Sequence, residues 1–131
     1  MKILIIDNDL STVTTLKALI LNKEKIDIDT AVSGKEGLDK MKAMPDYDVV
    51  LLDIMMPEIS GMDVCKTMTN DWKLSQIPVL LMSSALPIPP DEFHHSLEKF
   101  SSLSVVKGVI EKPFVIDELL SKMRQAAKNR L

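Results

Sequence analysis

The chain has a single cysteine, Cys65, so no internal disulfide can form and a reducing compartment is its expected home. Cys65 lies beside Val64 and Met68 in an apolar helical pattern, which reads as a buried structural thiol, not a nucleophile. A basic surplus is also missing, since the formal net charge is −3. Proteins that grip phosphate backbones carry a basic patch or stripe, so direct nucleic-acid binding is not expected. Lys122, Arg124, Lys128 and Arg130 read as cations near a helix C-terminus, where they complement the macrodipole. Long apolar runs are absent. Val79-Leu80-Leu81-Met82 is far too short to span a bilayer, and Met1-Lys2 leads directly into a strand-like segment, not a secretory signal. A cytoplasmic chain without membrane contact is expected. No linker or low-complexity stretch interrupts it, and 131 residues fit one domain, 1–131.

What is present is a repeat of short apolar runs and helical patterns. Ile3-Leu4-Ile5-Ile6 is continuous, β-branched and ends abruptly in polar residues, as a strand buried on both faces of a parallel sheet does. Val49-Val50-Leu51-Leu52, ending at Asp53, and Val79 to Met82, ending at Ser83-Ser84, have the same form. Val105-Val106 with Val109-Ile110, ending at Glu111-Lys112, is a less tidy version. Ile26 to Val32 alternates apolar and polar residues, as an edge strand would. Helical patterns lie between and after them. They are marked by Val13, Leu16, Leu19 and Ile20; by Leu38 and Met41 behind Ser33-Gly34; and by Met62, Cys65, Lys66 and Met68. Two more are marked by Phe93, Leu97 and Phe100 after Pro89-Pro90-Asp91, and by Val115, Leu119, Met123 and Ala126. Five βα units predict a parallel sheet covered on both sides, with right-handed crossovers.

The polar residues fall at the ends of the buried runs. Asp7-Asn8-Asp9, Asp53, Ser83-Ser84 and Lys112 each follow the C-terminal end of a strand, and ligands of open parallel sheets bind outside those ends. Singly, each is an ordinary turn former. Together they are chemically coherent. Adjacent carboxylates need a hard cation, and oxygen ligands on loops suit Mg²⁺ or Mn²⁺. A carboxylate among them can attack a phosphoryl group and form an acyl phosphate. A hydroxyl, an ammonium and the metal can then hold the phosphoryl oxygens. Phosphoryl transfer rests largely on such positioning.

The segments Ile-Ile-Asp-Asn-Asp at 5–9, Leu-Leu-Asp-Ile-Met-Met-Pro at 51–57 with Gly61, Pro-Val-Leu-Leu-Met-Ser-Ser at 78–84 and Glu-Lys-Pro-Phe at 111–114 carry a resemblance. In this order they resemble the receiver domains of bacterial-type response regulators. The resemblance implies a flavodoxin-like doubly wound sheet, strand order 2-1-3-4-5. It implies a phosphorelay receiver of two-component signalling, not an enzyme in the ordinary sense, that catalyses its own phosphorylation and dephosphorylation. By position, Asp53 matches the phosphoacceptor. Asp7 matches a metal-site acid, and Met55 matches the residue whose backbone carbonyl binds the metal. Ser83 matches the hydroxyl that contacts the phosphoryl group, and Lys112 the lysine that pairs with it. The bond from Lys112 to Pro113 corresponds to one that is usually cis in the family. The implied partners are a sensor histidine kinase or histidine phosphotransfer protein, and a downstream protein or a separate output domain.

Three departures stand out. Asn8 occupies the place of a second metal-binding acid; an amide oxygen still binds Mg²⁺, with one charge fewer. Asp9 is the candidate to compensate, although on a strand-like backbone its side chain would point the other way. Val109 stands where the family places a switch aromatic, so the response is expected to pass through Ser83, Ser84 and the segment Leu86 to Pro90. The stretch from Ser83 to Lys112 is also longer than usual, with the surplus assigned to Leu86–Pro90 and Ser101-Ser102. Asn8 and Val109 motivate an alternative, a pseudo-receiver that binds partners without phosphorylation. A remoter one is a phosphatase of the haloacid dehalogenase type using Asp7. That would need a further strand ending in paired acids, and would leave Asp53 to Pro57 without a role. Trp72 reads as a surface cap and the nine methionines as adaptable core. His94 and His95, being adjacent on a helix, face apart and do not form a metal pair.

Overall fold

A computed structural model describes residues 1–54, 61–83, 103–111 and 113–128, with the backbone alone for Ser83. Five strands, β1 (Lys2–Ile6), β2 (Asp27–Ala31), β3 (Val49–Asp53), β4 (Val79–Ser83) and β5 (Val106–Glu111), form one sheet in the order β2-β1-β3-β4-β5. All four pairings are parallel. The described helices are α1 (Leu10–Lys23), α2 (Gly34–Ala43), α3 (Gly61–Thr69) and α4 (Ile116–Lys128), with a 3₁₀ turn at Leu74–Gln76. The helical pattern around Phe93, Leu97 and Phe100 lies outside the described residues, as do His94 and His95.

Strand alternation sorts the core into two layers. Leu4, Ile6, Val50 and Leu52 pack with Leu38, Met41, Val64, Cys65 and Met68 of α2 and α3. On the opposite face, Ile3, Ile5, Val49 and Leu51 pack with Val13, Leu16 and Ile20 of α1 and with Leu119, Leu120 and Met123 of α4. The central strands β1 and β3 are therefore buried on both sides, which is why they are apolar throughout between Lys2 at the start of one and Asp53 at the end of the other. Strand β2 pairs with β1 alone, and only its last residue, Ala31, is fully buried, as expected of an edge.

Local chemistry starts the helices where the strands stop. Asp9 caps α1, its Oδ1 accepting from the Ser11 N–H at 3.0 Å and its Oδ2 from the Thr12 hydroxyl at 2.9 Å. Ser33 caps α2 by accepting from the Glu36 N–H at 3.1 Å, and the Glu36 carboxylate reaches back to the Val32 N–H. The untidiness of the last strand pattern is a bulge. Val79 pairs with Val106 but Leu80 pairs with Gly108, leaving Lys107 as the extra residue.

Three sequence expectations are corrected by the packing. Leu19 is 38% exposed, because three positions after Leu16 and six after Val13 it falls at the margin of the inward stripe of α1. Val115 is 62% exposed; it precedes α4, and Ile116 takes the place against the core. The basic residues of the last helix are not a terminal cluster. Among the described residues only Lys128 lies in its last turn. Lys122 pairs with Glu118, Arg124 with Glu24 at the end of α1, and Arg130 lies outside the described residues. Cys65 is fully buried, and Trp72 is 79% exposed with the Lys73 ammonium over its ring.

Candidate functional site

The order of the strands selects one place on the sheet. The chain leaves β1 for β2 on one side and then returns to β3 on the other. Helix α1, which follows β1, and α3, which follows β3, consequently cover opposite faces. The C-terminal ends of β1 and β3 lie side by side there, at the reversal point where open α/β sheets bind ligands.

Two carboxylates stand at that point. Asp7 follows the last residue of β1 and Asp53 is the last residue of β3; with Ile6 opposite Leu52, the two occupy the next step of the same register. Asp7 is 0% exposed and Asp53 5% exposed, and they are the only buried charged residues among those described. Buried carboxylates persist only with partners. The Oδ1 of Asp7 accepts from the Asp9 N–H at 2.9 Å, and the Asp7 N–H extends the β1–β2 ladder to the Ala31 carbonyl at 3.0 Å. The Asp53 segment is held similarly: Asp53 pairs with Met82, and the Ile54 N–H reaches the Met82 carbonyl at 3.1 Å.

Asn8 is exposed beside Asp7. Asp9, the candidate to replace a missing acid, places both carboxylate oxygens on the cap of α1, where they accept from the Ser11 N–H and the Thr12 hydroxyl. The Ser83 backbone ends β4 opposite Glu111, the last residue of β5. Ser83's side chain, Met55, Ser84, the segment Leu86 to Pro90, Ser101-Ser102 and Lys112 lie outside what the structure describes. Val109 is half-buried against the α2–α3 layer, and its carbonyl accepts from the Lys122 ammonium at 3.0 Å. Among the described residues, no three His, Cys, Asp or Glu side chains come together as a metal cluster.

Two features at this rim add to the sequence reading. One is the position of Gly61, the glycine of the Asp53 motif, which starts α3 and lies directly against the Asp53–Ile54 backbone. The other is a groove of about 390 Å³ lined by Ser11, Thr12, Thr15 and Leu19 of α1 with Pro113 and Phe114. It begins at Ser11, two residues after Asp9 in the first turn of α1, and reaches Pro113 and Phe114. The exposed Leu19 is its apolar wall, and only the packing of Phe114 against α1 reveals it. No described helix is long and apolar enough to cross a membrane.

The profile of the family described as response regulator receiver domain matches residues 3–124. The chain is 28% identical over 123 residues to the DNA-binding dual master transcriptional regulator RpaA of Synechocystis, covering 94% of this chain and 47% of that protein. It is 29% identical over 128 residues to the cell cycle transcriptional regulator CtrA of Caulobacter vibrioides, covering 98% of this chain and 51% of that one. It thus spans about half the length of these curated relatives. The receiver domain of a Francisella response regulator superposes with a TM-score of 0.78 at 28% identity, over 99% of this chain and 98% of that one.

Proposed function

Because the chain belongs to the receiver-domain family of two-component response regulators, we propose that it accepts a phosphoryl group on Asp53 from a sensor histidine kinase or a histidine phosphotransfer protein. The observation that carries this reading is the pair of buried carboxylates, Asp7 and Asp53, at the reversal point of the sheet. In the reaction a carboxylate oxygen of Asp53 attacks phosphorus. The bond from phosphorus to the donor's imidazole nitrogen breaks, and the electron pair leaves with that nitrogen. Hydrolysis of the acyl phosphate by water regenerates the carboxylate.

The donor set is all oxygen and carries two full negative charges, which fits a hard divalent cation. Asp7, Asp53, Asn8 and the Met55 carbonyl would hold Mg²⁺ (or Mn²⁺), which when bound offsets the charge of the phosphoryl group. Ser83 and Lys112 supply a hydroxyl and an ammonium to its remaining oxygens. The groove between α1 and Phe114 offers the phosphodonor protein an apolar contact. Output follows through a downstream protein or a linked domain, since the curated relatives are about twice as long.

Mass spectrometry after incubation with a small-molecule phosphodonor and Mg²⁺ tests the reading. One acid-labile phosphoryl group is expected, and none in Asp53→Asn. Label that persists in Asp53→Asn removes the assignment. A parent protein that takes no label from several donors is instead a phosphorylation-independent interaction module.

A further inference from the structure

Strand β5 is the outermost strand, and its hold on the molecule is uneven. Its inner side is hydrogen-bonded to β4, but the ladder is interrupted by the bulge at Lys107, and the next residue is Gly108, which has no side chain to pack. Two hollows flank the seam between β5 and α4. One, about 330 Å³, is lined by Val109, Ile110, Glu111, Val115, Glu118 and Lys122. The other, about 190 Å³, is bordered by Leu80, Lys107 and Gly108 from the sheet and by Lys122, Gln125 and Ala126 from α4. Lys122 is common to both. Its ammonium donates to the Val109 carbonyl at 3.0 Å and pairs with Glu118 one turn earlier at 3.3 Å. Among the described residues, the two hollows leave the seam between β5 and α4 less closely packed than the β4–β5 pairing, where Leu80 lies directly against Gly108. A charged donor bonded to the backbone of β5 supplies what packing does not.

We propose that Lys122 is a positioning residue that ties β5 to α4 and thereby fixes where the strand ends at Glu111, the residue that precedes Lys112 in the sequence. The inference rests on the phosphoryl-transfer reading for its consequence, but not for the tether itself. Val109 and Glu111, the last residue of β5, are two residues apart, about 7 Å of extended chain. Displacement of the Val109 carbonyl is therefore transmitted along Ile110 and Glu111 to the rim. Glu118 holds the ammonium in place from the preceding helical turn, so the tether is a two-residue device on one face of α4.

The test compares Lys122→Met, which keeps the aliphatic stem, with Lys122→Arg, which restores a charged donor. Hydrogen exchange on the unphosphorylated proteins reads the tether. Amides of 108–111 should exchange roughly tenfold faster in Lys122→Met, the opening expected when one hydrogen bond to a charged donor is lost. Those of β1 and β3 should not change, and Lys122→Arg should recover most of the protection. The rate of phosphoryl gain from a small-molecule donor should fall several-fold in Lys122→Met and return in Lys122→Arg. Acceleration spread evenly over all strands, or no acceleration at 108–111, overturns the tether. A loosened strand with an unchanged phosphorylation rate overturns the link to Lys112. A parent that gains no phosphoryl group fails the functional reading and its consequence, while the exchange result still decides the tether. If Lys122→Met does not fold, Lys122→Gln carries the same comparison.

Discussion

A Cβ on Gly61 would lie 3.1 Å from the carbonyl oxygen of Asp53 and 3.3 Å from the Cα of Ile54. Both neighbours are backbone, so neither can turn aside as a flexible side chain would. The first residue of α3 and the strand end carrying the candidate phosphoacceptor are thus packed to the limit that glycine allows. The Gly61→Ala variant should lose about 1 to 3 kcal/mol of stability, the usual cost of forcing a methyl into a closed contact. It should also slow phosphoryl gain at Asp53 by displacing its backbone. Denaturant unfolding and phosphorylation kinetics check this, and wild-type values in both would show that the contact relaxes freely.

Asn8 sits exposed beside the buried Asp7. Asn8→Asp adds a full charge to the cation site. Mg²⁺ should bind about tenfold more tightly, the low end for a close charge pair near a surface. The metal-free variant should be less stable than the parent, because like charges crowd without a counter-ion. Metal titration and thermal unfolding with and without Mg²⁺ read the two effects. Equal affinity in both proteins would remove position 8 from the ligand set.

Asp9 is assigned to the helix cap, not the metal. Asp9→Ala should therefore cost about 1 kcal/mol in stability, the typical value of an N-cap. Its Mg²⁺ affinity should fall by clearly less than tenfold, since an exposed carboxylate that is not a ligand contributes only a solvent-screened attraction. A loss of tenfold or more in affinity, measured in the same titration, would make Asp9 a ligand.

The buried Cys65 thiol is pushed up to about 12 by desolvation. In the unfolded chain it ionises near its ordinary value of about 8.5. Below that value both states hold the proton and the contribution to stability is whole. Above it the unfolded state binds fewer protons, so stability falls as pH rises toward the folded value. Tyr47 is also raised, first by burial and then by its hydrogen bond to Asp29, but its unfolded-state ionisation begins near pH 10. Between pH 8.5 and 10 the decline therefore belongs mainly to Cys65, and the Cys65→Ala variant should show a flatter profile there despite lower stability overall. Equal slopes in chemical denaturation across that interval would contradict this. Native Cys65 should also resist aromatic disulfide reagents at pH 8 until the protein is unfolded.

Much of this molecule is determined by sequence alone. Strands such as Ile3–Ile6 and Val49–Leu52 are legible because burial on both faces demands an unbroken apolar run, and the polar residues that terminate them mark the rim. Asp7 and Asp53 could be nominated because abrupt strand ends in a βα repeat can meet only at one edge of the sheet. Their register, by contrast, is a tertiary fact, set by which strands pair and in what order. So is the role of Asp9, since a local pattern of alternating acids does not say whether a carboxylate faces a cation or the free N–H groups of a helix. Leu19 and Val115 look like core in a helical count, and only the position of each helix on the sheet turns them outward. Lys122 looks like one cation of a terminal cluster. What makes it a tether is the bulge in β5, which depends on pairing with β4, and the placement of α4 beside that strand. Side-chain spacing records which face a residue occupies; what that face meets is decided when the elements pack.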